Sequence, residues 1–161
     1  MQKIFNKKAF TLLEVIIVIY IFSMGILGLS TLVIKNIQLE NMNKNGLIAS
    51  QLAQEGLELV RNKRDSNWLT GADWDNGLIG DGTYGIDVTN DIINFSSIDE
   101  AVLKINTEGV YNLSDGSDTK FKRLITASNN GDNINVSCLV QWSERGKDYQ
   151  YQADTLLYDW K

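Results

Sequence analysis

The sequence predicts an α+β fold in which a long N-terminal helix packs on an antiparallel β-sheet. Two observations lead to this prediction. Residues 10–34 form an apolar run that contains a single charged residue, Glu14. From residue 82 onward, apolar and polar residues alternate with a period of two, which is typical of strands that bury one face. A helical stretch followed by a series of strands is the element order of an α+β protein.

A short basic segment precedes the apolar run. Residues 1–9 contain Lys3, Lys7 and Lys8 and no acidic residue. The 25 residues from 10 to 34 are enough to cross the ~30 Å hydrocarbon core of a bilayer as a helix. Because basic residues stay on the cytoplasmic side, the chain is predicted to cross the cytoplasmic membrane once, with its head outside. The run is too long for a cleaved secretory signal, so length alone favours an uncleaved signal anchor.

The helix is predicted to continue over residues 35–64 as an amphipathic extension. Apolar residues recur there with helical spacing at Ile48, Leu52, Leu59 and Val60. Part of this surface carries only small residues, Ala49, Ala53 and Gly56, so another backbone can approach it closely. Residues 41–46 contain asparagine and glycine, which are poor helix formers, and mark a predicted weak point. Residues 65–82 are rich in turn formers and predict a loop.

The remainder, residues 65–161, is predicted to be a globular antiparallel β head. Alternation marks strands within 84–88, 102–106, 121–127, 134–142 and 149–157, with 110–113 as a short partner. The turn residues at 129–132 and 145–148 join the last three strands into an antiparallel meander. The apolar face of this meander needs a cover, and the helix extension is the long amphipathic element available for it.

Composition excludes several function classes. Residues 65–161 hold seven basic and sixteen acidic residues, a net charge of −9, which disfavours nucleic-acid binding by the head alone. The chain has no histidine and one cysteine, Cys138, so zinc sites, catalytic triads and an intramolecular disulfide are not expected. Cys138 lies on the apolar face of its strand and is predicted to be a core residue. No enzyme activity, cofactor, metal or catalytic residue is predicted.

The stretch Lys7-Lys8-Ala9, followed by Phe10-Thr11-Leu12-Leu13-Glu14-Val15-Ile16-Ile17, resembles the class III signal of prepilins. This family comprises type IV pilins, pseudopilins and competence pilins. The segment 51–58, with Arg61 and Asn67-Trp68, looks like the minor pilins of the assembly-factor type. The resemblance implies a pilin-like fold with a leader peptide over 1–9, a transmembrane helix over 10–34, the extension over 35–64 and the head over 65–161.

The same resemblance implies processing. A prepilin peptidase would recognise the leader through Lys7 and Lys8, cleave between Ala9 and Phe10, and N-methylate Phe10. Ala9 departs from the glycine that usually precedes the cut. The helix also lacks the proline that kinks many major pilins, and Gly25 and Gly28 are the residues expected to loosen it instead.

Glu14 has a physical rationale of its own. A carboxylate in a bilayer costs several kcal/mol unless it is paired. Cleavage creates a positive amine at Phe10, so the Glu14 carboxylate of one subunit is predicted to neutralise the Phe10 amine of the next and set the subunit register. The alternatives are that Glu14 caps its own helix or pairs with its own Phe10 amine.

The predicted function is therefore structural, as a minor subunit of a type IV pilus or related pseudopilus that primes assembly or decorates the filament. The implied partners are the prepilin peptidase, other pilin subunits, the pilus assembly platform and membrane lipid. The implied location is the cytoplasmic membrane and then an extracellular pilus or pseudopilus. Two alternatives remain open: a displayed ligand-binding, adhesion or DNA-uptake module, and an uncleaved signal-anchored exported protein.

Overall fold

The computed structural model describes residues 11–78, 82–89, 91–129 and 133–159. One long helix is followed by seven strands: α1 (Leu12–Thr70), β1 (Gly82–Ile86), β2 (Ile92–Phe95), β3 (Val102–Ile105), β4 (Tyr111–Asn112), β5 (Ser117–Asn129), β6 (Asn133–Glu144) and β7 (Lys147–Tyr158). The predicted α+β fold is confirmed. The chain forms two compact units, Met1–Lys44 and Asn45–Lys161, and α1 contributes residues to both.

In the first unit, the described residues are Thr11 and the helical residues 12–44. The long apolar side chains of this part of α1, such as Leu12, Phe22 and Leu32, are exposed. By length and composition α1 can cross a membrane, with a mean hydropathy of 2.5 over its most apolar window. The helix is continuous through residues 41–46, so the predicted weak point does not break it.

In the second unit, α1 ends at Thr70, six residues later than the sequence predicted. The end is a Schellman motif around Gly71, whose φ of 73° few other residues adopt. The Ala72 N–H donates to the Asn67 carbonyl at 3.0 Å, and the Gly71 N–H donates to the Trp68 carbonyl at 3.2 Å. The helix therefore stops where a glycine permits this closure and not at the first turn-forming residues.

The sheet is built around β5. One edge of β5 pairs with β6, which in turn pairs with β7, and both pairings are antiparallel. This confirms the predicted meander of the last three strands. The other edge of β5 is shared by β1 and β3, which pair with β2 and β4 respectively. Strand β2 was not predicted, and β1 and β3 join the sheet by crossovers that local alternation does not reveal.

The core lies between the sheet and residues 45–70 of α1. The sheet contributes the in-phase residues of β5 and β6, which are Phe121, Ile125, Ala127, Ile134, Val136, Cys138, Val140 and Trp142. The helix contributes the predicted residues Ala49, Leu52, Ala53 and Val60, together with Leu57, which was not predicted, and the predicted Ile48 and Leu59 are partly buried against the core. The predicted cover of the apolar sheet face by the helix extension is confirmed.

Candidate functional site

The start of α1 is capped by Thr11. Its carbonyl accepts hydrogen bonds from the N–H groups of Glu14, at 3.1 Å, and Val15, at 3.2 Å. Its Oγ1 atom also accepts from the Glu14 N–H at 3.3 Å. Thr11 and Glu14 are spaced as in a capping box, in which a threonine side chain satisfies the third N–H of the helix. The sequence therefore fixes the helix start two residues after the predicted cleavage point.

Glu14 lies in the first turn of α1 and is exposed. A negative charge there interacts favourably with the positive end of the helix dipole. Within the described part of the chain, the Glu14 carboxylate has no hydrogen-bond or ion-pair partner. It is surrounded by exposed apolar side chains such as Leu12, Leu13 and Val15. This isolated carboxylate on an apolar surface needs a cation once water is removed.

The serine and threonine hydroxyl groups of the apolar helix form hydrogen bonds within the helix. Ser23 donates to the Tyr20 carbonyl at 2.8 Å. Ser30 and Thr31 donate to carbonyls one turn earlier, at 2.9 and 3.0 Å. Such bonds allow serine and threonine to sit in an apolar medium without unpaired donors. Glu14 is thus the charged group in residues 11–34, and no described residue neutralises it.

Four of the predicted site residues lie outside the described residues. These are Lys7 and Lys8 of the predicted leader, and Ala9 and Phe10 at the predicted cleavage point. Gly25 and Gly28 lie within α1, and a Cβ atom added to either would meet nothing within 4 Å. They leave shallow positions on the exposed helix surface at which another helix has room to approach.

In the head, the central feature is a buried arginine. Arg123 of β5 is 1% exposed and lies on the same face as Phe121 and Ile125. Its guanidinium donates to the carbonyls of Leu52 in α1 and Ile86 in β1, both at 3.2 Å. These bonds join three elements at one point in the core.

The same guanidinium forms an ion pair with Glu55, at 3.1 Å, whose side chain is 37% exposed. A buried charge is tolerated only when it is paired and hydrogen-bonded. Glu55 supplies the opposite charge from the helix surface, and the two carbonyls supply further acceptors. The pairing therefore fixes how α1 lies on β5.

The helix approaches the sheet most closely at Gly56. A Cβ atom at this position would lie 2.7 Å from Cys138 Sγ and 3.1 Å from Arg123 Cδ. Cys138 is a free, fully buried thiol, which confirms its predicted place in the core. Burial raises the pKa of the Cys138 thiol to about 12, so it is neutral and unreactive near neutral pH.

Groups of three or more His, Cys, Asp or Glu placed to hold a metal ion do not occur among the described residues. Within the second unit, Arg123 joins β5 to the part of α1 around Leu52 and Glu55.

Comparison with protein families places a known motif at the start of the chain. Residues 4–30 match the family described as the prokaryotic N-terminal methylation motif. The chain carries the class III signal of type IV pilins. The matched residues include Lys7, Lys8, Ala9, Phe10 and Glu14. Comparisons with curated proteins and with solved structures gave no match.

The class III signal and the apolar α1 together indicate the precursor of a type IV pilin-like or pseudopilin protein. The motif implies processing by a prepilin peptidase and assembly with other pilins. With the apolar helix behind it, the signal indicates anchoring in a membrane.

Sequence reasoning missed two features of the site. The Thr11 cap was available from the spacing of Thr11 and Glu14, which is that of a capping box. The burial of Arg123 was available from its phase, since it alternates with Phe121 and Ile125. The hydrogen-bond partners of Arg123 could not be predicted from the sequence, because they depend on how α1 and β1 are placed against β5.

Proposed function

We propose that this protein is a minor structural subunit of a type IV pilus or related pseudopilus. It is held in the cytoplasmic membrane by residues 10–34, with its head outside. It is cleaved between Ala9 and Phe10, methylated at Phe10, and then inserted into a filament through its apolar helix. The observation that carries the proposal is the match of residues 4–30 to the methylation motif, which extends into the exposed apolar part of α1.

In this proposal, Glu14 sets the position of each subunit. The carboxylate has no partner among the described residues, and cleavage creates an amine four residues before it. Pairing of the Glu14 carboxylate with the Phe10 amine of a neighbouring subunit neutralises both charges in the apolar filament core. A buried polar pair of this kind favours one axial register over others, as a buried asparagine does in a coiled coil.

The minor role rests on the helix extension. Residues 51–58 combine buried Leu52, Ala53, Gly56 and Leu57 with exposed Gln51, Gln54 and Glu58. The buried residues hold the head, and the exposed polar ones present a distinct surface to a neighbouring subunit. We expect the protein to be present at far below one copy per major subunit in sheared filaments, while its deletion lowers the number of filaments. Quantitative mass spectrometry of sheared filaments measures the ratio.

The experiment that tests processing is intact-mass and N-terminal analysis of the protein extracted from membranes. We expect a chain that starts at N-methyl-Phe10, with a mass one methyl group above that of residues 10–161. Extraction from cells lacking the prepilin peptidase is the control and should give the unprocessed chain. A chain that still starts at Met1 in cells with an active peptidase would contradict the proposal and favour the uncleaved signal anchor.

A further inference from the structure

The two edges of the β-sheet differ in length and regularity. On one side the outer strands are short: β2 has four residues and β4 has two, and the pairing of β3 with β5 shifts register between Val102 and Lys104. Short and irregular edge strands are a common protection against pairing with other chains. On the other side lies β7, which pairs with β6 over 12 residue pairs without a shift.

The hairpin between β6 and β7 shows which backbone groups of β7 are free. Arg145 and Gly146 have φ values of 54° and 75°, as in a two-residue type I′ turn. Glu144 and Lys147 therefore form the closing pair and exchange both hydrogen bonds. Such pairs alternate along an antiparallel ladder, so the odd-numbered residues of β7 bond to β6.

The even-numbered residues of β7 consequently direct their N–H and C=O groups away from β6. Among the described residues no strand pairs with this edge. The residues concerned are all exposed, and they are Asp148, Gln150, Gln152, Asp154, Leu156 and Tyr158. The edge thus presents six residues in regular extended conformation, with no proline and no lysine at its outward positions.

The negative charge of this edge disfavours strand pairing with a second copy of the chain. Asp148 and Asp154 are its charged residues, and neither forms an ion pair with a described residue. From described residues they accept side-chain hydrogen bonds of neutral groups, those of Ser143 and Gln152 respectively. Two copies would bring these carboxylates, and two heads each carrying −9 over residues 65–161, against one another. An added strand with basic side chains is instead attracted to Asp148 and Asp154.

We infer that the free edge of β7 is a strand-addition site for an extended segment of a different protein that carries basic side chains. The added strand pairs with the outward backbone groups at Gln150, Gln152 and Asp154, and its cations face Asp148 and Asp154. Main-chain bonds supply affinity in this mode of recognition, and the side chains supply selectivity. The inference concerns the head alone and holds whether or not the chain is cleaved at Ala9–Phe10.

Amide hydrogen exchange of the full chain in detergent micelles tests the inference. Without a partner, the amides of Gln150, Gln152 and Asp154 should exchange quickly, while those of Tyr151 and Ala153 are protected by β6. The probe is a capped synthetic octapeptide that alternates threonine and lysine, and the control peptide has glutamate in place of lysine. We expect the lysine peptide to slow exchange at the three even-numbered amides by at least about tenfold, and the glutamate peptide to have no effect.

A matched pair of variants assigns the effect to β7. Gln152→Pro removes one outward N–H without removing a bond to β6, which is where an edge strand accepts proline. It should abolish the protection, whereas Gln152→Ala should keep it, and protected Tyr151 and Ala153 amides show that either variant is folded. Unchanged exchange, equal protection by the glutamate peptide or protection that survives in Gln152→Pro would overturn the inference. Concentration-dependent protection without peptide would overturn it in favour of a second copy.

Discussion

Arg123 Nη1 of β5 donates to Glu55 Oε1 of α1 at 3.1 Å, which joins the sheet to the helix through one ion pair. The guanidinium is buried, whereas the carboxylate reaches the surface. The guanidinium also donates hydrogen bonds to two uncharged acceptors, the carbonyls of Leu52 and Ile86. We expect the ion pair with Glu55 and the hydrogen bonds to the carbonyls to contribute differently to the stability of the head.

Arg123→Met should lower the free energy of unfolding of the head by about 2–4 kcal/mol, because buried carbonyls lose their donor. Glu55→Gln should cost less than about 1.5 kcal/mol, since the amide oxygen still accepts a hydrogen bond and the site is partly hydrated. Urea unfolding of the full chain in detergent, followed by tryptophan fluorescence, measures both. Equal losses in the two variants would mean that the charge pair, and not the carbonyl contacts, dominates.

Gly56→Ala tests the close approach of α1 to the sheet. The added methyl group would lie 2.7 Å from Cys138 Sγ, so the helix or the thiol must move. Although alanine favours helix by about 1 kcal/mol, overpacking should prevail and lower the unfolding free energy by roughly 1–3 kcal/mol. The measurement is the same urea unfolding.

Gly46→Ala is the matched control for this substitution. It lies in the same helix, and its Cβ would meet nothing within 4 Å, so we expect unchanged or slightly raised stability. Combining Gly56→Ala with Cys138→Ala should recover part of the loss, because the smaller side chain makes room. A full loss that persists in the double variant would place the clash elsewhere.

The fold follows from the sequence wherever one face of an element is buried. Alternation located β5, β6 and β7 and placed Cys138 on the inner face. The same alternation does not show that β1 and β3 share one edge of β5, because strand order depends on contacts between distant residues. Strand β2 was missed for a related reason: its burial does not alternate, and only its end residues, Ile92 and Phe95, are partly buried.

In the candidate site, too, local patterns were predicted and features that depend on distant contacts were not. The segment from Lys7 to Glu14 is a local pattern, so it was recognised from sequence alone. The end of α1 was predicted too early because asparagine and aspartate favour turns. In the structure Asn67 is helical, and its side chain donates to the Trp74 and Asn76 carbonyls, which holds the following loop. Its role depends on a loop that folds back, which propensity does not describe.

Stability should fall at high pH through two buried acids. Burial raises the pKa of Cys138 to about 12 from 9.0, and burial, with a smaller effect of Cys138, raises that of Tyr84 to about 12 from 10.0. Above the unfolded pKa values, the folded state binds more protons than the unfolded state. The free energy of unfolding should therefore be unaffected by these groups below pH 9 and decline as pH rises toward 12, by up to about 1.4 kcal/mol per pH unit for each group.

Urea midpoints at several pH values between 7 and 11 measure this dependence. The double variant Cys138→Ala with Tyr84→Phe is the comparison, because it removes both acids while every exposed tyrosine and lysine remains. We expect a steeper decline in the natural chain than in the double variant. Parallel curves would show that neither buried group contributes.

The last prediction concerns Glu14. Glu14→Ala should leave cleavage at Ala9–Phe10 intact but reduce incorporation into filaments by at least about tenfold, the effect of losing roughly 1.4 kcal/mol of docking free energy. The reason is that the Phe10 amine of the neighbouring subunit then lacks a counter-charge in an apolar environment. Intact mass reports cleavage, and the ratio of this chain in sheared filaments to that in membranes reports incorporation.

Thr11→Val separates the charge of Glu14 from the capping of the helix. It removes the Oγ1 atom that accepts the Glu14 N–H and keeps the carboxylate. The loss of a cap costs only about 1 kcal/mol of helix stability, and the membrane-spanning helix has many other bonds, so incorporation should stay near that of the natural chain. If Thr11→Val and Glu14→Ala reduce incorporation equally, the role of Glu14 lies in starting its own helix. If neither reduces it, the carboxylate does not set the register.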